Sequence, residues 1–179
     1  MNFCSQCGAT VTHRVPAGDD RPRHVCDTCG TIFYSNPKIV AGCIPEWQGR
    51  VLLCRRAIDP RSGLWTLPAG FMENGETTAD AAVRETMEEA NAKVEVSELF
   101  TYFNIPRINQ VHLFFLARML AGDFAAGAES LEVDLFTEAR IPWSELAFPS
   151  VEETLRHYFA DRRSGCFSLH MADLHRRPG

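Results

Sequence analysis

Two hydrophobic periods run through this chain, and they divide it into strands and helices. Lys38 to Pro45 (KIVAGCIP) is an apolar run of strand length, and Val51 to Arg56 (VLLCRR) is its partner across the turn Trp47-Gln48-Gly49-Arg50. Ser62-Gly63 turns the chain into Leu64 to Ala69 (LWTLPA). The period then becomes helical. Thr77, with Asp80 three residues on, resembles a capping box, and a helix is expected from there to about Ala90. Ala79, Ala82, Val83, Thr86, Met87 and Ala90 fall on one side of it; Glu85, Glu88 and Glu89 converge on another. Lys93 to Phe103 reads as a strand ending in a turn at Asn104, Pro106 to Asn109 as a loop, and Val111 to Leu120 (VHLFFLARML) as a strongly apolar strand that carries His112 half-buried. A small, acidic loop, Gly122 to Ser130, ends in Glu129 and leads into a strand over Glu132 to Phe136. Ile141-Pro142-Trp143 begins a turn-like segment. Ser150, with Glu153 three residues on, predicts a second capping box and a helix to about Phe159. From Asp161, with Arg162, Arg163 and the terminal HRRPG, the chain is polar, and Cys166 has no evident partner there. Strands flanked by two helices, joined by hairpin-like connections, predict an α+β domain with a mixed sheet.

Composition narrows the setting. With 179 residues, 45% hydrophobic and 23% charged, the chain suits one domain plus a small appendage. A net charge of −5 speaks against general affinity for nucleic acid or anionic membranes. No apolar run approaches the ~20 residues of a membrane span, and the start, MNFCSQCG, has neither a basic region nor an apolar signal core. A cytoplasmic location with reduced thiols is expected, so the seven cysteines need a reason other than disulfides. Cys43 and Cys54 sit in apolar runs and read as small buried hydrophobes. Cys4-x-x-Cys7-Gly8 and Cys26-x-x-Cys29-Gly30 are two knuckles with 18 residues between them. Four thiolates so spaced suit tetrahedral Zn²⁺ and leave no open position for catalysis. The pattern looks like a structural zinc ribbon. Arg14, Arg21, Arg23 and His24 are offset by Asp19, Asp20 and Asp27, which favours a folding module or dimer element over nucleic-acid binding. His13 and His24 read as surface residues. The expected division is 1–34 ribbon, 35–160 main domain and 161–179 tail.

Three carboxylates on one helix patch repel each other and would reject a phosphate. Bound Mg²⁺ or Mn²⁺ reverses that, since a hard cation takes oxygen ligands and bridges to phosphate. A solvated helix face is the plain alternative. The frame around the acids decides between them. Gly70, five residues, Glu76, seven residues, then Arg84-Glu85-Thr86-Met87-Glu88-Glu89 resembles the Nudix box, G-x5-E-x7-R-E-U-x-E-E-x-G-U with U aliphatic. Every charged position is present. Thr86, Asn91 and Ala92 depart from the pattern and spare every ligand position; Asn91 can still end the helix in left-handed conformation.

The resemblance implies a Nudix α/β/α sandwich and divalent-metal hydrolysis of a nucleoside diphosphate linked to another group. It implies Glu85 and Glu89 as metal ligands, Glu88 as a further ligand or a base, and the Ala69 carbonyl as completing the shell. Arg84 would orient the acids and Glu76 would fix the loop–helix junction by pairing with it. The general base in this family often lies outside the helix, which makes Glu129 and Glu132 the candidates. Arg55, Arg56 and Arg107 are candidates for the substrate's phosphates, with a surface ion pair as the other reading of the first two. Tyr102, Phe103 or Trp65 could stack on a base, though a core role suits each. A zinc ribbon ahead of a Nudix domain occurs in NADH pyrophosphatases and NAD-cap hydrolases, but Tyr102 to Gln110 lacks their SQPWPFPxS signature. The segments NPKIVAGCIPEW, LLCRR, GLWTLPAGFMENGE, RETMEEANA, ESLEVDLF and IPWSELAF are similar to bacterial relatives of the plant chloroplast Nudix enzyme that hydrolyses FAD to FMN and AMP and accepts ADP-ribose. That likeness implies an ADP-linked small-molecule substrate and a homodimer. The other readings are a Nudix hydrolase of NADH or damaged nucleotides, and a non-catalytic nucleotide-binding regulator.

Overall fold

A computed structural model describes residues 1–175. The chain forms two compact units, Met1–Pro37 and the rest from Lys38. In the first, β1 (Val11–Arg14), β2 (Arg23–Cys26) and β3 (Ile32–Phe33) make an antiparallel sheet in that order. Both knuckles turn through a glycine with positive φ, Gly8 and Gly30 (each 75°), where a side chain would be strained.

The second unit is built on β4 (Lys38–Trp47), β5 (Arg50–Arg56), β8 (Val94–Ile105), β9 (Gln110–Met119), β10 (Ser130–Phe136) and β11 (His170–Asp173), once β6 (Trp65–Thr66) and β7 (Ala69–Phe71) are counted in chain order. The order across the sheet is β10-β5-β4-β9-β8-β11, with β6 on β5 and β7 on β4. β4 runs parallel to β9 and β11 parallel to β8, while the other pairs are antiparallel. Helix α1 (Thr78–Ala90) follows β7, and α2 (Pro149–Ser164) follows β10.

Strand alternation places α1 and α2 over opposite faces. On β5, Val51 and Leu53 point to the α2 side with Ile44, Phe100 and Phe114, where they meet Val151, Leu155, Tyr158 and Phe159. Leu52 and Cys54 point the other way with Cys43, Leu113 and Phe115, against Ala82 and Ala90 of α1. Both faces are buried, which is why these strands read as continuous apolar runs rather than alternating ones. A fully buried leucine such as Leu52 or Leu53 contributes about 1.5–3 kcal/mol. The result is the expected α+β sandwich, a mixed sheet between two helices. Cys43 and Cys54 are core residues, as expected. No helix among the described residues is long and apolar enough to cross a membrane.

Four expectations need correction. First, α1 is turned toward its acids. Val83 and Met87 are exposed, whereas Ala81 and Glu89 are buried with Ala82, Thr86 and Ala90. The polar edge of the apolar stripe, not its centre, faces β7. Second, α2 has no capping box. Its N-cap is Phe148, Pro149 opens it, and the Ser150 hydroxyl serves His112 Nδ1 at 2.9 Å instead. Third, β8 does not stop at Asn104, which pairs with Val111; the reversal is a 3-10 turn, Pro106–Ile108, ended by Asn109 at φ 53°. Fourth, the stretch after Asp161 is more than a polar tail. α2 continues to Ser164, and β11 joins the sheet edge, held by His170 Nε2 on Asp161 Oδ2 at 2.8 Å and by the His170 ring against Phe100. The terminal Arg176, Arg177, Pro178 and Gly179 lie outside the described residues.

Candidate active site

The loop Gly70 to Glu76 and helix α1 are joined by one cation. Arg84 donates to both oxygens of Glu76 (Nε 3.0 Å, Nη2 2.7 Å), to Glu85 (2.7 Å), to Glu88 (3.1 Å) and to the Phe71 carbonyl (3.1 Å). Glu76 also accepts from the Glu73 amide at 2.6 Å. The Arg84 hydrogen bonds, then that of Glu73, hold the Glu76 carboxyl down near 2. Glu76 is therefore a fixed anion at the loop–helix junction, and Arg84 orients the acids of the helix. Thr77 caps the helix with the reciprocal Asp80 bond, and Asn91 ends it at φ 48° with its amide on the Met87 carbonyl.

Gly70 leaves room for the carboxylate of Glu85. A Cβ there would overlap the Glu85 carboxylate. Gly42, on the adjoining strand β4, has the stricter need, because a Cβ would strike the Ala69 Cβ and the backbone Pro68 carbonyl. This close approach brings β7 against β4 and sets the Ala69 amide 3.2 Å from Glu89 Oε2. Gly42 carries no sequence signal of its own, since it sits within an apolar run and its role depends on a neighbour 27 residues away.

Glu89 is 7% exposed and reaches a pKa of about 8. Burial is the main cause; the Ala69 amide and the Arg56 charge oppose it, and the Glu85 and Glu129 charges add to it. Burial also raises half-buried Glu85 against the pull of Arg84, and Glu88 and Glu129 push the same way. The fold thus gathers acids with fewer cations than carboxylates, an arrangement that a divalent ion would neutralise. Glu85, Glu88, Glu89 and the Ala69 carbonyl offer the oxygen donors that a hard cation takes, but the three carboxylates do not converge within 4.8 Å of one another as the cysteine sulfurs do.

The two loop acids differ in their surroundings. The Glu129 charge acts on Glu85 and Glu89, and its backbone carbonyl accepts from the Ala57 amide at 2.8 Å, beside the end of β5. Glu132 pairs in register with Arg55, and their side chains meet at 3.5 Å in solvent. Arg55 also donates to the Gly63 carbonyl at 2.9 Å. Arg56 donates to the Pro60 carbonyl at 3.0 Å, lies over the Phe148 ring at 5.2 Å and acts on Glu89. Arg107 lies exposed in the 3-10 turn. Trp65 is buried edge-on to Phe136, Phe103 is buried, and Tyr102 is half-buried against the α1-side core.

Among the described residues, Cys4, Cys7, Cys26 and Cys29 are the group whose ligand atoms all lie within 4.8 Å of one another. Sγ of Cys4 and Cys29 are 3.6 Å apart, and those of Cys7 and Cys26 are 3.5 Å apart. The Thr31 hydroxyl, 3.0 Å from the Cys29 Sγ, and its amide pull that thiol down to about 6. Soft thiolates in a four-donor cluster fit a tetrahedral metal. His13 and His24 face each other at 5.0 Å and take no part in the cluster.

The family model of the NUDIX domain matches residues 36–161. The chain belongs to the Nudix family. The model of the Nudix N-terminal zinc ribbon matches residues 2–35. This Nudix hydrolase is 30% identical over 130 residues to an ADP-ribose pyrophosphatase of Methanocaldococcus jannaschii, covering 70% of this chain and 75% of that one. It is 30% identical over 172 residues to the NAD-capped RNA hydrolase NudC of Edwardsiella ictaluri, covering 94% of this chain but 62% of the relative's length. A crystal structure of a NUDIX hydrolase from Nitrosomonas europaea superposes with a TM-score of 0.91 at 52% identity, over 97% of this chain and all of that one.

Proposed function

We propose that this Nudix hydrolase cleaves the diphosphate of an ADP-linked nucleotide, ADP-ribose to AMP and ribose 5-phosphate and FAD to FMN and AMP. The observation that carries this reading is the placement of Glu85 against Gly70 and of buried Glu89 on the Ala69 amide, with the Glu88 and Glu129 charges acting on Glu85 and that of Glu129 on Glu89 as well. The ADP-ribose pyrophosphatase relative supports the substrate class. Glu85, Glu89, Glu88 and the Ala69 carbonyl would hold Mg²⁺ or Mn²⁺. Such an ion supplies charge neutralisation at the diphosphate and a more acidic attacking water. Arg84 keeps Glu85 and Glu88 aimed and restrains them from turning outward. Glu129 takes the proton of the attacking water; Glu132, occupied by Arg55, does not. Arg56, braced on Phe148, faces the phosphates. The four cysteines would hold one structural Zn²⁺, and the working form is a homodimer.

A second reading has its own support. The NudC relative aligns over nearly the whole chain, ribbon included, which favours an NAD-type dinucleotide. Against it stands the Tyr102 to Gln110 segment, where that group's aromatic signature is absent. A panel of ADP-ribose, FAD, NADH and oxidised dGTP with Mg²⁺ and Mn²⁺ separates the readings. AMP release from ADP-ribose or FAD at the highest kcat/KM is expected. Preference for NADH would move the protein to the second reading, and cleavage of none of the ADP-linked compounds would sink the proposal.

A further inference from the structure

We propose that the side-chain amide of Asn91 is a latch that positions Glu129, by tying the loop that carries it to the C-terminal end of α1. The inference rests on the reading of Glu129 as the base.

The end of a helix leaves carbonyls without intrahelical donors. Here three of them are answered, and two of the donors come from the loop between β9 and β10. Met87 O receives the Asn91 amide at 2.9 Å. Ala90 O receives the Ala125 amide at 2.9 Å, and Glu89 O receives the Gly127 amide at 3.0 Å. The Asn91 side chain returns the contact: its Nδ2 donates to the Ala125 carbonyl at 3.1 Å and to the Ala126 carbonyl at 3.4 Å. The loop therefore both gives to and takes from the helix end. It runs close enough that a Cβ on Gly127 would overlap the Glu88 carbonyl oxygen. Beyond it, the Ser130 amide donates to the Gly127 carbonyl at 3.1 Å, and the Ala57 amide donates to the Glu129 carbonyl at 2.8 Å. Glu129 is thus held between two anchors, the helix end at Gly127 and the β5 end at Ala57.

Position 91 is where the Nudix box has its second glycine. A glycine would meet the φ of 48° and keep the amide bond to Met87. It could not supply two side-chain donors to neighbouring carbonyls. Aspartate offers oxygens where carbonyls already point, and would repel them. Asparagine alone of these serves cap and latch together. Phe124 packs on the α1-side core at the start of the loop, and from Ala125 to Glu129 the residues are small or exposed, so that stretch is fixed by its hydrogen bonds. Asn91 touches no reacting atom and is a positioning residue.

Asn91→Gly separates the two roles because glycine suits the cap. With ADP-ribose, or whichever ADP-linked compound of the panel is turned over, kcat is expected to fall about tenfold with KM nearly unchanged, the cost of a small misplacement of a reacting group. Thermal stability should hold, and the Ala125 and Gly127 amides should exchange with solvent faster than in the wild type. Full kcat and unchanged exchange in N91G would reduce Asn91 to a helix cap and overturn the latch. Glu129→Gln tests the reading beneath it: a loss of about 10²–10⁴ in kcat is expected for a general base, and full activity would remove both base and latch function. In the E129Q background, N91G should cost no further kcat, because the two act through one group. A full additional tenfold loss there would place the action of Asn91 elsewhere, leaving the base assignment standing.

Discussion

At the scale of single residues, the arrangement of the acids depends on the space left by a glycine and on the burial of one carboxylate. Gly70→Ala should leave the fold intact yet displace Glu85, whose carboxylate occupies the space a Cβ would take; kcat should drop about 100-fold, as for other ångström-scale misplacements. Circular dichroism unchanged and turnover unchanged together would show that Glu85 is not needed where it lies. Glu89→Gln removes a carboxylate that burial has already pushed up to about 8. The variant should fold at least as stably without metal, lose turnover by about 10³ or more on the scale of an electrostatic catalytic group, and gain less melting temperature than the wild type when Mg²⁺ or Mn²⁺ is added. Equal metal-induced stabilisation in both proteins would take Glu89 off the ligand set. Arg84 shows why these acids tolerate one another: a single guanidinium reaches Glu76, Glu85 and Glu88, and Glu76 is bound to it by two hydrogen bonds, one to each oxygen.

At the scale of elements, the two helices meet the sheet by different means. α1 packs small residues, Ala81, Ala82 and Ala90, and Thr86 returns its hydroxyl to the Ala82 carbonyl at 2.7 Å and to the Cys43 thiol at 3.1 Å. The box departure at Thr86 is thereby satisfied inside the core rather than merely tolerated. α2 packs large residues and adds a buried polar seam, in which Thr154 meets Thr101 at 2.9 Å and Ser150 meets His112 at 2.9 Å. Gln110 Oε1, 2.9 Å from Nε2, is an acceptor, so Nε2 carries the proton and Nδ1 accepts from Ser150. Burial lowers the His112 pKa to about 4. A folded-state pKa below the unfolded value of 6.5 means the neutral ring is the folded form. Its contribution is complete above pH 6.5 and is lost as pH falls toward 4. Urea unfolding at pH 7 and pH 4.5 should therefore show the wild type losing on the order of 2 kcal/mol more than His112→Gln. An equal loss in the two would mean that His112 charges without cost.

At the scale of the whole molecule, the ribbon and the hydrolase domain form separate compact units, each with its own hydrogen-bonded sheet, while both hydrophobic core clusters belong to the hydrolase domain. Metal analysis should find about one zinc per chain, the content of a single four-thiolate site. Cys26→Ser should abolish it and render the segment before Lys38 sensitive to protease, with the core of the second unit still folded; zinc retained in that variant would refute the ribbon assignment. The box residues that the structure joins through Arg84 were legible from order alone. Box spacing names Arg84, Glu85, Glu88 and Glu89 because a helix repeats every few residues, so sequence separation and spatial proximity coincide there, and Glu76, just ahead of the helix, is within reach of Arg84. The knuckles are legible for the same reason, as each CxxC closes within one turn. The central strands were readable because both their faces are buried. Other features were decided only by tertiary packing. Which edge of α1 turns inward follows from β7 lying against Gly42, so Val83 and Met87 are exposed and Glu89 is buried. Ser150 leaves the cap for His112 because that ring, from a strand 38 residues earlier, arrives beside it. β11 forms because Phe100 and Asp161 receive His170. Glu129 stands apart from Glu132 because one adjoins the end of β5 while the other is spent on Arg55. Chain order determined whatever local geometry determines, the fold class, the four-cysteine cluster and the acidic helix. The tertiary structure decided how that helix is rotated and that the loop carrying Glu129 docks on its C-terminal end, since both depend on contacts between residues far apart in the chain.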